Sequence, residues 1–231
     1  MAEILFVVTG ADHLTLADGT EHPTGFWAEE FTAPSGVLTG AGHTVAVATP
    51  GGVTPTVDPV SLTPEVNGGA AGAAAAAAAL ATVNALRTPL VLADVDPARY
   101  AAVLYVGGHG PMQDLATDAD SARLLRTVLA QGTPLAAVCH GVAALLAAQD
   151  ADGTSPFAGY RLTGFSTAEE NQTGLADRLN WLLQDRLAAL GAEYASGEPW
   201  SPHVVVDRTL HTGQNPQSSA ALAAALLRTL G

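Results

Sequence analysis

The chain has 231 residues, a single cysteine, no lysine, and nine arginines against 22 acidic residues, for a net charge of −13. Such acidity argues against nucleic acid or an anionic membrane as partner, and one cysteine excludes an internal disulfide. A hydrophobic fraction of 48% excludes a disordered chain, and no unbroken apolar run reaches the roughly 18–20 residues of a spanning helix. The length fits one α/β domain over residues 1–231. The start, Ala-Glu-Ile-Leu-Phe-Val-Val-Thr at 2–9, lacks a basic leader and reads as a buried strand. With so little cysteine, this points to the cytoplasm.

In chain order, strands are predicted at Ile4–Thr9, Thr44–Thr49, Ala101–Val106, Leu135–Val138 and Gly159–Thr163, with a late pair at Val204–Val206 and Thr209–Thr212. Most are short continuous apolar runs, as expected of strands buried on both faces. Helices are predicted between and after them at Phe26–Thr39, Ala119–Gln131, Arg178–Leu190 and Ala220–Leu230. The alanine-rich stretch Gly68–Ala81 reads as a surface helix, because Ala has the best helix propensity. This alternation predicts an α/β fold: a mostly parallel central sheet with helices on both faces. Ligands are expected at the carboxyl ends of its strands.

Cys139 ends the apolar run Leu135–Val138 and precedes His140-Gly141 and another apolar run, 142–148. A strand-to-helix turn there can present a thiol, and the helix dipole favours its anion. Otherwise the thiol is a small buried hydrophobe. Three further segments place chemistry at strand ends. Gly107-Gly108-His109-Gly110 follows a strand, and its backbone amides, with that of His140, can form an oxyanion site. Gly25-Phe26-Trp27-Ala28-Glu29-Glu30 opens a helix; one acid complements the dipole and the other can turn inward to the thiol. Thr163-Gly164-Phe165-Ser166-Thr167-Ala168-Glu169-Glu170 again leads to an acidic pair, one of which can orient His140. His22, His43 and His211 read as surface or loop histidines, and Asp207-Arg208 as a hairpin turn. Trp200 and His203 are placed within reach of a pocket.

Gly-Gly-His-Gly at 107–110, Ala-Val-Cys-His-Gly at 137–141, Thr-Gly-Phe at 163–165 with its acidic pair, and Thr-Gly-Gln-Asn-Pro at 212–216 together resemble the DJ-1/PfpI superfamily. Within it the chain most resembles the Hsp31-like branch, which includes glutathione-independent glyoxalase III enzymes. In outline it also resembles class I glutamine amidotransferase domains. The resemblance implies a flavodoxin-like three-layer sandwich and a homodimer. It implies Cys139 as nucleophile, His140 beside it, Glu30 against the thiol, and Glu170 completing a Cys-His-Glu set, with Glu169 its competitor. Gly108, His109, Trp27 and Phe165 are implied around the oxyanion and substrate.

No cofactor and no metal are expected. The implied activity is a lyase (D-lactate dehydratase type) acting on methylglyoxal and related 2-oxoaldehydes, a small carbonyl partner. Either Glu30 or His140 moves the carbon-bound proton. Two alternatives stand beside it: another cysteine-dependent hydratase or hydrolase, of isonitrile hydratase type or biosynthetic, and a stress chaperone or oxidation sensor.

Overall fold

The computed structural model describes residues 1–231. Eleven strands and eight α-helices run in the order β1 (Glu3–Val7), β2 (His13–Thr15), β3 (Glu21–Pro23), α1 (Ala28–Gly40), β4 (Thr44–Thr49), α2 (Ala70–Ala81), α3 (Asn84–Arg87), β5 (Leu90–Val91), β6 (Ala102–Tyr105), α4 (Gly110–Gln113), α5 (Ala119–Gln131), β7 (Leu135–Val138), β8 (Arg161–Leu162), α6 (Thr167–Thr173), α7 (Leu183–Ala189), β9 (Glu193–Tyr194), β10 (Val204–Asp207), β11 (Leu210–Gly213) and α8 (Ser219–Leu230). Between β7 and β8, Cys139–Ala148 forms a tight helix of 3-10 character.

Seven strands make the central sheet in the order β10-β11-β7-β6-β1-β4-β5. All neighbours are parallel except β10 against β11. The interior strands are apolar throughout because helices cover both faces: Ile4–Val7, Ala102–Tyr105 and Leu135–Val138 have no solvent exposure. Helix α5 shows how a cover helix is specified. Asp118 caps its first turn by accepting from the Ser121 amide at 2.7 Å. Ala122, Leu124, Leu125 and Val128 form its buried stripe. It stops at Gly132, whose φ of 67° suits a residue without Cβ. The chain leaves β6, β1 and β7 at the same end of the sheet, so the loops at 9–11, 106–110 and 139–141 meet there.

The predicted helix over Arg178–Leu190 is shorter in the structure. Residues 176–178 form one 3-10 turn, and the backbone is extended at Leu179 and Leu182. Contacts with the β2–β3 hairpin override the helical periodicity. The Ala17 amide donates to Arg178 O at 2.8 Å, and Asn180 Nδ2 donates to Thr15 O at 2.8 Å. The predicted strand at Gly159–Thr163 reduces to β8, which pairs with β9 in a separate two-stranded sheet. Side chains intercept its amides: Arg161 N donates to Asp207 Oδ2 and Thr163 N to Thr212 Oγ1, both at 2.9 Å. The pair β2–β3, the partner strand β9 and the short edge strand β5 lay outside the predicted elements. His211, read as a surface or loop residue, is buried on β11 and bonded to Thr229 Oγ1 at 3.0 Å. No helix is long and apolar enough to cross a membrane.

Candidate active site

Strand β7 delivers Cys139 into the turn with φ at 55°, a left-handed conformation that a side chain adopts only under constraint. The constraint is crowding beneath the turn. A Cβ on Gly141 would sit 2.7 Å from Tyr105 O. The thiol is 4% exposed, and its Sγ lies 3.4 Å from His140 Nδ1.

Glycines let the 107–110 loop close over this turn. Gly108 has φ 97°, and a Cβ there would lie 2.8 Å from Trp27 N and 2.9 Å from Phe26 Cα. Trp27 N donates to Gly107 O at 2.9 Å and Gly110 N to Gly25 O at 3.2 Å. This lacing fixes the start of α1. Of its two acids, Glu29 is exposed and Glu30 is fully buried beside the thiol. The residues alone anticipated this division without saying which acid was which, and the family resemblance named Glu30.

Neither Glu30 carboxyl oxygen has a partner that meets hydrogen-bond geometry. Burial pushes its pKa well above the ordinary carboxylate value, opposed by the Cys139 thiol and the Gly107 amide. Burial also raises the thiol, and a charged Glu30 would raise it further. A protonated Glu30 instead removes that like-charge opposition and so eases ionisation of the sulfur. The His140 amide acts in the same direction.

Glu170 is the carboxylate that meets the imidazole. His140 Nε2 lies 2.7 Å from Glu170 Oε2. His109 Nε2 lies 3.0 Å from Oε1 of the same carboxylate, to which Thr173 Oγ1 donates at 2.9 Å. Burial alone would raise Glu170, but the two imidazoles outweigh it and hold the carboxyl well below its ordinary value. Burial, and then the neighbouring His109, lower His140 and favour its neutral form. A neutral His140 that donates from Nε2 to Glu170 has Nδ1 free to accept the thiol proton.

Glu169, the competing acid, faces elsewhere. Its carboxylate accepts from Ser166 N and Oγ, Trp200 N, Gln214 Nε2 and Asn215 Nδ2 at 2.6–3.0 Å. It therefore ties the Thr-Gly-Gln-Asn-Pro segment and the Trp200 loop to the start of α6.

Phe165 sits between His140 and Trp200, tilted on the first and edge-on to the second, at ring-centroid distances of 4.5 and 5.5 Å. It is a wall of the imidazole cluster. Trp27 and Trp200 line a cavity of about 530 Å³ that His109 also reaches. Cys139 and Phe165 do not line it, and neither does His203. The cavity also takes in His22, Glu29, Asp58, Glu65 and Gln172. Among these, His22 was read from sequence as a surface or loop residue. Thr173, the third partner of Glu170, was missed, although its i,i+3 spacing on α6 was the available signal. His109, His140 and Glu170 bring their ligating atoms within 4.8 Å of one another. A metal there would have to displace both imidazole–carboxylate bonds.

Fold and site define a protein with a cysteine at a strand-to-helix elbow of a parallel α/β sheet, backed by imidazole and carboxylates. The DJ-1/PfpI family model matches residues 22–229, and the chain belongs to that family. It is 38% identical over 137 residues to human glutamine amidotransferase-like class 1 domain-containing protein 1, covering 59% of this chain and 62% of that protein. It is 28% identical over 225 residues to glyoxalase 3 of Candida albicans, covering 95% and 94% of the two chains. The crystal structure of that glyoxalase III superposes with a TM-score of 0.83. The Rapid Encystment Protein 24 KDa of Francisella tularensis superposes with a TM-score of 0.87 at 30% identity over the whole of both chains. The chain thus spans under two thirds of the human relative and nearly all of the yeast one.

Proposed function

We propose that this protein is a glutathione-independent, glyoxalase III-like lyase that converts methylglyoxal and related 2-oxoaldehydes to 2-hydroxy acids. The observation that carries this reading is the set Glu30–Cys139–His140–Glu170, with Sγ 3.4 Å from an imidazole whose far nitrogen is fixed at 2.7 Å on a buried carboxylate. Likeness to glyoxalase 3 over nearly the full chain supports it. His140 Nδ1 takes the thiol proton, and the thiolate adds to the aldehyde carbon to give a hemithioacetal. The alkoxide faces the amides of Gly108 and His140. A proton moves from C1 to C2 through an enediol, and water cleaves the resulting thioester. The test is lactate formation from methylglyoxal by purified protein without glutathione. The same yield from Cys139→Ala would end this reading.

The cavity favours a second reading. Some 530 Å³ is far more than a three-carbon substrate fills, and its lining carries Glu29, Asp58 and Glu65 with no arginine. That suits an aldehyde adduct of an amine or guanidine. A relative at 29% identity, from Pseudomonas aeruginosa, is named a protein/nucleic acid deglycase. Release of free arginine from its methylglyoxal adduct, faster than the uncatalysed rate, would favour this substrate. The working unit is proposed to be a homodimer. Exposed Val53, Leu90 and Val91 near edge strand β5 support this, and light scattering at twice 23.3 kDa tests it.

A further inference from the structure

The structure holds two imidazoles on one carboxylate where the proposed reaction, as usually divided, needs only one. Glu170 Oε2 takes His140 Nε2 at 2.7 Å and Oε1 takes His109 Nε2 at 3.0 Å. The rings stack at a centroid distance of 4.0 Å. Because an ionised carboxylate only accepts, both Nε2 atoms carry hydrogen, and in each neutral ring Nδ1 keeps its lone pair. The two lone pairs face different groups. His140 Nδ1 meets Sγ, and the side chain is 2% exposed. His109 Nδ1 is bonded to no protein group and is not among the sealed unpartnered atoms. Its ring, 11% exposed, forms part of the wall of the large cavity.

Resting on the glyoxalase reading, we propose that His109 Nδ1, and not Glu30 or His140, is the base that carries the carbon-bound proton between C1 and C2. His140 then serves the sulfur alone. Sulfur forms the S–C1 bond as the carbonyl π pair moves to oxygen, which takes the thiol proton by way of His140. His109 Nδ1 next accepts hydrogen from C1 as a proton. The C–H pair becomes the C1=C2 bond, and the C2 carbonyl pair moves to its oxygen. His109 returns the proton to C2, the C1 hydroxyl loses its proton as the C2 oxygen gains one, and a thioester remains. Water then cleaves the C1–S bond, releasing lactate and the thiol. C1 is oxidised and C2 reduced within one molecule, so no external oxidant or reductant is needed.

This division resolves a conflict of position. His140 is wedged between the thiol, Glu170 and Phe165. A base already engaged with sulfur is poorly placed to follow hydrogen from one carbon to the next. His109 stands on the cavity side and shares Glu170, so one negative charge steadies whichever imidazole is protonated.

The experiment uses His109→Gln, whose amide nitrogen can replace Nε2 on Glu170 while Nδ1 has no basic counterpart. Substrates are methylglyoxal with hydrogen or deuterium at C1, and thiol reactivity is read by iodoacetamide. His140→Gln is run in parallel. The expected result for His109→Gln is kcat lower by about 10²–10⁴-fold, a larger deuterium effect on kcat than in the parent, and alkylation of Cys139 within about twofold of the parent. His140→Gln is expected to slow alkylation. If His109→Gln keeps the parental kcat, or loses alkylation as His140→Gln does, His109 is structural or acts through the thiol, and the proposal falls. If the parent itself makes no lactate, the glyoxalase reading falls and takes this proposal with it.

Discussion

Substituting Gly107 by alanine tests the site through its packing. Gly107 does not have a positive φ, so the backbone accepts alanine and the whole effect lies in what the new methyl meets. It would overlap Glu30 Oε2, lie 2.6 Å from Val138 O and 3.0 Å from Cys139 Cβ. The carbonyl belongs to β7 and cannot swing away. Glu30 is the one movable neighbour, and it is fully buried. Overpacking of this kind costs about 1–3 kcal/mol. Alanine returns about 0.4–1 kcal/mol by restricting the unfolded chain, leaving a net loss of about 0–2.6 kcal/mol, centred near 1.3 kcal/mol. For a chain of this length the central value lowers Tm by roughly 3–5 °C.

The kinetic effect is larger in kind. A displacement of Glu30 from the thiol by about 1 Å is expected to lower kcat for methylglyoxal on the order of 10²-fold. The assays are thermal melting by circular dichroism and lactate formation. Gly36→Ala is the control. It lies in α1, is exposed, and its Cβ meets nothing within 4 Å. It is expected to gain about 0.5–1 kcal/mol with unchanged activity. A Gly107→Ala protein with parental Tm and rate would refute the packing argument. One that loses stability and keeps its rate would show that catalysis does not depend on Glu30.

Other expectations rest on single carboxyls. Glu30→Gln should lower kcat by about 10²–10⁴-fold. Because burial raises the Glu30 pKa, the folded state holds this proton more tightly than the unfolded chain. The associated stability is complete below the ordinary carboxylate value of 4.5 and is lost as pH rises towards the folded value. Urea midpoints at pH 5 and pH 8 should therefore fall more in the parent than in Glu30→Gln. Glu170 has the opposite sign. Its folded pKa is depressed, so its contribution is present above about pH 4.5 and is lost as pH falls through the folded value. Glu170→Gln should flatten that acid limb and lower kcat by about 10²–10⁴-fold through loss of the imidazole tautomers; a normal rate would remove Glu170 from the site. Glu169→Ala strands five donors and should cost about 3 kcal/mol or more, read as a urea midpoint shift, with Glu169→Gln milder.

The central sheet was legible because strands buried on both faces are written as unbroken apolar runs, and β1, β6 and β7 show this. Strands of two or three residues, such as β2, β3 and β9, carry no such pattern. The expected helix at 178–190 misled because Leu179 and Leu182 keep helical spacing while the hairpin takes the backbone of 178–180. In the site, strand-end reasoning pointed to Cys139, His140 and one acid of each pair, while the naming of Glu30 and Glu170 came from the family resemblance. The choice between Glu169 and Glu170 was not legible, because adjacent residues on α6 differ by about 100° in direction and only the tertiary partners decide between them. The second imidazole on Glu170 was equally hidden, since His109 is 61 residues away in the chain.

The left-handed turn at Cys139 carries one more consequence. A residue with φ of 55° is the one position in the elbow where glycine would sit with less strain than the residue present. The fold therefore keeps its reactive sulfur against its own conformational preference. Drift towards a more relaxed backbone at this turn would erase the nucleophile first, and a lineage could lose the chemistry while its sheet grew more stable.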